Sequence, residues 1–130
     1  MTIKPKRGKP RRRTAPQHGT DWWTNATHAL WARSGGRCER CDRALGGGIG
    51  VSRHHRMRRR DGGDRLSNLL LLCGSGTTGC HGWVTEHPDE AYANGWSVRA
   101  LATTDPAEVP VRINGRLWVL DDHGVKRLIP

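Results

Sequence analysis

Residues 69–83 read Leu-Leu-Leu-Leu-Cys-Gly-Ser-Gly-Thr-Thr-Gly-Cys-His-Gly-Trp. The segment from Ser67 to Leu72 is the densest apolar run of the chain, so we expect it to anchor the surrounding structure to a core. Three Gly and three small hydroxyl residues separate Cys73 from Cys80. Because Gly adopts backbone conformations that other residues avoid, this loop can fold back and bring the two thiols together.

A second pair of cysteines lies upstream, with the Cys-x2-Cys spacing that is typical of one half of a tetrahedral thiolate site. The predicted ligands of one structural zinc ion are Cys38, Cys41, Cys73 and Cys80. Four thiolates leave no open coordination position, so this zinc would stabilise the fold and take no part in catalysis. Two disulfides are the alternative, which the lack of secretory features disfavours.

The composition indicates a polyanionic partner. The 130 residues are 35% hydrophobic, with six Trp and no Phe, and carry a net charge of +10 with a pI near 10.7. A chain of this length buries a modest core, and its charge favours nucleic acid as the partner. No apolar run reaches the length of a membrane span, and no secretory leader follows Met1. We therefore expect a cytoplasmic protein.

The N-terminal segment, residues 1–19, carries seven Lys or Arg, three Pro and no acidic residue. This composition predicts a disordered basic tail that acts as an electrostatic arm on phosphates. A solubilising tail or a purification artefact is the alternative interpretation. Without the tail a net charge near +3 remains, so most of the excess positive charge belongs to this segment.

The remaining pattern predicts an α+β fold. Residues 20–33 have the apolar spacing of a helix, with Thr20 or Asp21 as its cap and Gly35-Gly36 as its stop. A short strand is expected at 49–54. A second helix should run from His81 toward Ala93, broken or kinked at Pro88. Three short strands should then form a β-meander, at 109–114, 117–122 and 125–129. The predicted domains are the tail, a zinc-stapled module over 20–95 and a C-terminal β extension over 96–130.

A set of polar residues inside the cysteine frame has no structural purpose in a simple zinc module. His54-His55 supplies two imidazoles that titrate near neutral pH, and on a strand they would point to opposite sides. The amide of Asn68 can cross-link two backbone segments, and His81 opens the second helix. Phosphodiester cleavage needs such groups, because a base must deprotonate a water and a cation must offset developing charge. Taken singly, each has a simpler explanation, such as a surface His or a helix cap.

The whole constellation resembles the zinc-containing HNH endonucleases, whose core is the ββα-metal fold. The stretch 69–83 is especially similar to HNH proteins of tailed bacteriophages, and the resemblance covers roughly residues 24–95. It implies that His54 and His81 bind a divalent cation, that His55 is the general base and that Asn68 orients it.

The chain departs from the family pattern at one place. Some members carry a further His four residues after the helix His, where this sequence has Thr85, and the nearby His87 is out of phase on a helix. The cation would then have two protein ligands, with water and phosphate oxygen completing its shell. Such a site suits Mg²⁺ or Mn²⁺, with Ni²⁺ as a further candidate.

Arginines surround the His pair, and the predicted DNA-binding residues are Arg53, Arg56, Arg58, Arg59 and Arg60. Arg53 and Arg56 flank the pair and are expected to contact phosphate directly, whereas the alternative for the group is a solvated loop. Tryptophans can stack on bases, but in a chain without Phe they are expected to form the core.

The sequence thus predicts an endonuclease that hydrolyses DNA phosphodiester bonds with a divalent cation, leaving 3′-hydroxyl and 5′-phosphate ends as its family does. The likeness to phage proteins implies work beside terminase or portal during DNA packaging, in the host cytoplasm. The competing class is a non-catalytic zinc-ribbon DNA-binding protein or packaging adaptor. That class explains the cysteines and the charge but leaves the His-Asn-His set unexplained.

Overall fold

The structure is a computed structural model that describes residues 15–101 and 103–130. This part of the chain has the predicted α+β class. In chain order the elements are α1 (Thr20–Ser34), β1 (Val51–His55), α2 (Arg59–Gly62), β2 (Leu69–Cys73), α3 (Gly79–Glu86), α4 (Pro88–Ala93), β3 (Val111–Ile113), β4 (Arg116–Leu120) and β5 (Lys126–Leu128). Short 3-10 turns cover Leu66–Asn68 and Pro106–Glu108. Over these residues, no helix combines the length and apolar character that crossing a bilayer requires.

Residues 1–14 of the predicted basic tail lie outside the described residues. Its remaining part, residues 15–18, packs along the loop that contains α2, and we call it the N-terminal strap. The N–H of Ala15 donates to the carbonyl of Arg60 at 2.9 Å, and the N–H of Asp64 donates to the carbonyl of Pro16 at 2.8 Å. The strap therefore belongs to the folded module and not to the tail.

Helix α1 ends as predicted but begins differently. Gly35 closes its last turn with φ of 66°, a left-handed conformation that suits Gly, and its N–H donates to the carbonyl of Ala32 at 3.3 Å. At the other end the cap residue is Gly19, and no side chain bonds to the free N–H groups. Thr20 and Asp21 lie inside the helix, so the prediction of a side-chain cap is wrong.

Strands β1 and β2 pair antiparallel, with His55 opposite Leu69. Every residue of β2 is buried because the hairpin is covered on both faces. Successive side chains of a strand point to opposite faces. Leu69 and Leu71 accordingly pack against Leu30 of α1. Leu70 and Leu72 instead join the larger core cluster, beside α3 and the C-terminal sheet. The members of this cluster include Leu70, Leu72, Val84, Trp96, Val111 and Leu120.

The predicted interruption at Pro88 is confirmed. Helix α3 ends at Glu86, and Pro88 occupies the first turn of α4, where its missing N–H costs no helical hydrogen bond. Helix α3 follows β2 directly after the loop between Cys73 and Cys80 and packs against that strand. In chain order the module therefore continues from β1 through α2 and β2 to α3.

The C-terminal residues form the predicted meander of β3, β4 and β5. Asn114 and Gly115 make the first turn with φ of 49° and 76°, as expected for a tight hairpin. Val111, Ile113 and Leu120 reach the larger core cluster, so the meander is packed on the module.

Arg56 has a different place from the one predicted. Its side chain is buried at 3% relative exposure and extends along backbone carbonyls instead of toward solvent. The guanidinium donates at 2.7–3.0 Å to the carbonyl oxygens of Gly95, Ser67, Pro106 and Val109. With these bonds made, Arg56 has no access to DNA, and the prediction that it contacts phosphate is wrong.

Replacing Arg56 by Ala should therefore lower the free energy of unfolding without a direct effect on DNA binding. The change removes the donor that the carbonyls of Gly95, Ser67 and Val109 share, while the Pro106 carbonyl keeps the N–H of Val109. Each unsatisfied buried group costs about 1–3 kcal/mol. We expect a loss of at least about 3 kcal/mol in the free energy of unfolding, measured by urea denaturation. The matched control is Arg60→Ala, at an exposed position of α2, which should leave the urea midpoint unchanged; equal midpoints for both variants would contradict this account.

Candidate functional site

The four cysteines meet at one point, as predicted. Cys38 and Cys41 lie on the turn after α1, Cys73 ends β2 and Cys80 opens α3. Their sulfur atoms all lie within 4.8 Å of one another, and none forms a disulfide. The structure therefore contains a four-cysteine cluster that could hold a structural metal ion such as zinc.

The geometry of the cluster fits zinc. The sulfurs of Cys41 and Cys73 are 3.8 Å apart. Two ligands of a tetrahedral ion with Zn–S bonds of about 2.3 Å are separated by about 3.8 Å, whereas a disulfide needs about 2.05 Å. Backbone N–H groups also face the sulfurs, with Cys73 donating to Cys38 at 3.3 Å and Cys80 to Cys73 at 3.4 Å. These donors offset part of the negative charge that four thiolates bring.

The loop between Cys73 and Cys80 depends on its glycines. Gly74 has φ of 90°, and a Cβ there would overlap the carbonyl of Thr78. Gly79 has φ of 59°, and its Cβ would lie 2.6 Å from the carbonyl oxygen of Cys73. The backbone thus approaches itself too closely for any side chain, which is how the loop returns Cys80 to the cluster.

His54 and His81 lie next to each other on the α3 side of the hairpin. Their ring centroids are 5.2 Å apart. Nε2 of His54 lies 2.7 Å from the carbonyl oxygen of Trp96, to which it can only donate, so its Nδ1 carries the free lone pair. Nδ1 of His81 is buried and has no hydrogen-bond partner among the described residues.

Both imidazoles are neutral at pH 7. Burial lowers the pKa of His54 to about 4, although the bond to the Trp96 carbonyl opposes this shift. Burial also lowers the pKa of His81. A neutral imidazole with an unpaired nitrogen is the form that binds a cation, and ligand histidines commonly donate their other N–H to a backbone carbonyl. The pair therefore fits the predicted cation site.

Thr85 and His87, the residues near the third ligand position of the family that the sequence resembles, form no metal-binding group with the His54–His81 pair among the described residues. The hydroxyl of Thr85 donates to the carbonyl of His81 at 3.0 Å. The ring of His87 stacks on Trp83 with centroids 4.1 Å apart, and its Nδ1 lies 2.8 Å from the Trp83 carbonyl oxygen. Two protein nitrogens, those of His54 and His81, remain for a cation.

His55 projects from the other side of β1, toward α1. Its Nε2 lies 2.9 Å from Oδ1 of Asp64, and its ring meets the edge of Trp23 with centroids 5.7 Å apart. The side chain keeps 21% relative exposure. If Nε2 donates its proton to the carboxylate, Nδ1 is left as the acceptor, which is the arrangement of an oriented base.

Asp64 is the functional candidate that the sequence did not reveal. Burial raises the pKa of its carboxyl, but hydrogen bonds from Arg59, from the His18 N–H and from His55 lower that pKa well below its usual range. Arg59 donates through two nitrogens at 2.8 Å, and His18 donates at 2.7 Å. Asp64 is therefore ionised and held from three directions. The sequence signal was an acid directly after Gly62-Gly63.

Asn68 makes the predicted cross-link between backbone segments. Its Oδ1 accepts the N–H of Met57 at 2.7 Å, and its Nδ2 donates to the carbonyls of Met57 and Gly63 at 2.9 and 3.0 Å. The side chain is fully buried. Asn68 thereby fixes both ends of the loop between His55 and Asp64, which sets the distance between those two side chains.

The predicted DNA-binding arginines fall into three groups. Arg53, Arg58 and Arg60 are exposed, as DNA contact requires. Arg59 is 43% exposed yet already paired with Asp64, and Arg56 is buried. Arg53 also donates to the hydroxyl of Thr27 at 3.1 Å.

Family models, curated proteins and solved structures were all compared with this chain, and none matches it. The candidate site is therefore defined by its own side chains. Two adjacent histidines of β1 carry it. His55 bonds to the buried carboxylate of Asp64, and His54 lies against His81, whose Nδ1 has no hydrogen-bond partner among the described residues.

Proposed function

We propose that this protein is a metal-dependent DNA endonuclease of the HNH type. The observation that carries the proposal is the arrangement of two adjacent histidines on β1. His55 bonds to the buried Asp64, and His54 lies beside His81, whose buried Nδ1 has no hydrogen-bond partner among the described residues. A net charge of +10 supports a nucleic acid substrate. The order of β1, β2 and α3 is compatible with the ββα-metal arrangement.

His54 and His81 would hold the divalent cation, and Mg²⁺ or Mn²⁺ suits a site with two nitrogens and several water positions. When bound, the cation supplies positive charge to the scissile phosphate and to the leaving oxygen. The Trp96 carbonyl fixes the ring orientation of His54, and burial keeps both rings neutral. The four-cysteine cluster would have a separate role, which is to hold the turn after α1, β2 and α3 together.

His55 would take the proton from the attacking water at Nδ1. The carboxylate of Asp64 holds the imidazole in the correct tautomer and stabilises the imidazolium that forms. Arg59 and the N-terminal strap keep Asp64 ionised and in position. Asn68 acts on the backbone of the same loop. Within this proposal the phage resemblance assigns the enzyme to DNA packaging, beside terminase or portal.

The cation site can be tested apart from the base. We expect the wild-type protein to bind one additional Mn²⁺ per chain, detected by loss of the free-ion EPR signal. His81→Ala should weaken this binding at least tenfold and raise the Mn²⁺ concentration for half-maximal cleavage equally. His123→Ala, an exposed His in the turn before β5, is the control and should leave both unchanged. Unaltered Mn²⁺ binding by His81→Ala would remove the histidine pair from the mechanism.

Asp64→Asn should lower the cleavage rate at saturating DNA by roughly 10²-fold, because an amide cannot stabilise an imidazolium. Single-turnover cleavage of end-labelled duplex DNA measures this rate. Asp64→Glu retains the charge and should recover part of the rate, and the folded fraction of each variant is measured by circular dichroism so that loss of rate is separated from loss of structure. The exposed Asp21, changed to Asn, is the control. If both Asp64 variants lose rate only in proportion to their fraction unfolded, then Asp64 is not a positioning residue.

A further inference from the structure

A groove of about 630 Å³ runs between α1 and β1 on the His55 side of the hairpin. Trp23 and Thr24 lie on its helical wall, and Arg53 and Arg59 lie on the opposite wall. Two histidines and further Thr hydroxyls complete the lining, and among the described residues that line it there is no carboxylate. Arg59 is already paired with Asp64, whereas Arg53 bonds to the hydroxyl of Thr27, so the guanidinium of Arg53 is the group that suits this open polar groove to an anionic ligand.

The position of the groove connects it to the candidate catalytic residues. Arg53 precedes His55 by two positions on β1, so both side chains point to the α1 side. Trp23 lies against both, with its ring 5.7 Å from the His55 ring and 4.5 Å from the Arg53 guanidinium carbon. Arg59 lines the groove and also holds Asp64. The groove therefore lies beside His55, on the same side of β1.

The guanidinium of Arg53 is oriented for such a ligand. It is held by stacking on Trp23 and by one bond from Nη1 to the hydroxyl of Thr27. Because these contacts fix the plane of the group, a phosphate oxygen can be bound at little cost in side-chain entropy. The strap reaches the groove at His18, and seven Lys and Arg precede residue 15 in the sequence.

We propose that this groove binds the phosphodiester backbone of one strand of duplex DNA, beside the phosphate that is cleaved. This inference rests on the proposed function, because it takes His55 to mark the cleaved bond. It adds a binding role for α1, through Trp23 and Thr24, and identifies Arg53 as the arginine that binds the flanking phosphate.

The test introduces a negative charge into the groove and leaves every residue assigned to catalysis unchanged. Thr24 is exposed on α1, and Glu and Gln at this position have the same size and both suit a helix. Binding of a short fluorescein-labelled duplex is measured by anisotropy without added divalent cation at several salt concentrations, in the His55→Ala background so that the DNA stays intact. We expect Thr24→Glu to bind at least tenfold more weakly than Thr24→Gln at low salt.

Arg53 gives an independent measurement in the same assay. Arg53→Ala should reduce the slope of log affinity against log salt by about 0.9, the value of one duplex phosphate contact. Arg127→Ala, at an exposed position on β5, should leave the slope unchanged. Equal affinities for the Glu and Gln variants, with a wild-type slope for Arg53→Ala, would overturn the inference even if the enzyme cleaves DNA. Conversely, the expected binding results without any cleavage would retain the groove and refute the nuclease.

Discussion

His55→Ala should abolish DNA cleavage, lowering the single-turnover rate at saturating DNA by roughly 10² to 10⁴. The reason is that Nδ1 of His55 is the acceptor proposed to take the proton of the attacking water. His55 is partly exposed and lies outside both core clusters, so its loss should not unfold the protein. The measurement is cleavage of end-labelled duplex DNA in Mg²⁺ or Mn²⁺, with zinc content and thermal midpoint determined on the same sample.

The control for this variant is His123→Ala, which removes an exposed imidazole far along the chain and should cut at the wild-type rate. DNA binding by His55→Ala should also persist, because the arginines proposed to contact phosphate are unchanged. Turnover near the wild-type level in His55→Ala would assign the base to another residue.

Cys38→Ser should prevent the protein from folding. The cluster joins the turn after α1 to β2 and α3, so loss of one thiolate weakens three attachments together. Structural zinc contributes about 10–16 kcal/mol in small zinc modules, which is comparable to the whole stability of a domain, about 5–15 kcal/mol. We expect insoluble or unfolded protein by circular dichroism, and one zinc per chain by elemental analysis of the wild type.

A matched control lies in the neighbouring cysteine loop. Gly76→Ala places a Cβ where no atom lies within 4 Å, so this variant should fold and retain its zinc. A soluble, folded Cys38→Ser protein with full activity and no zinc would mean that the cysteines are free thiols without a structural role.

Local signals in the sequence account for what was predicted well. The end of α1 at Gly35, the break before Pro88 and the turn at Asn114-Gly115 each follow from the conformational preferences of one or two residues. The four-cysteine cluster was predictable because metal chemistry restricts the ligands to a few types at short spacings. These features need no knowledge of distant contacts.

Long-range contacts account for what the sequence did not reveal. Arg56 resembles its exposed neighbours in sequence, yet it binds carbonyls as far as 53 residues away, and only the docking of the C-terminal segment makes them available. The bond between His55 and Asp64 spans nine residues and depends on the loop that Asn68 holds. The chain has 12 acidic residues, and nothing in the sequence indicates that Asp64 is the one that bonds to His55.

The central claim is that this protein hydrolyses DNA with a divalent cation, and supercoiled plasmid tests it most directly. Purified zinc-loaded wild-type protein and His55→Ala are incubated with plasmid without added divalent cation, with Mg²⁺ or with Mn²⁺, and the nicked and linear forms are quantified over time. The account predicts cleavage by the wild type in at least one of these cations, none without added cation, and a loss of roughly 10² to 10⁴ in His55→Ala. Intact plasmid under every condition, with folded, zinc-loaded and DNA-bound protein, would contradict it and favour a non-catalytic zinc-ribbon protein.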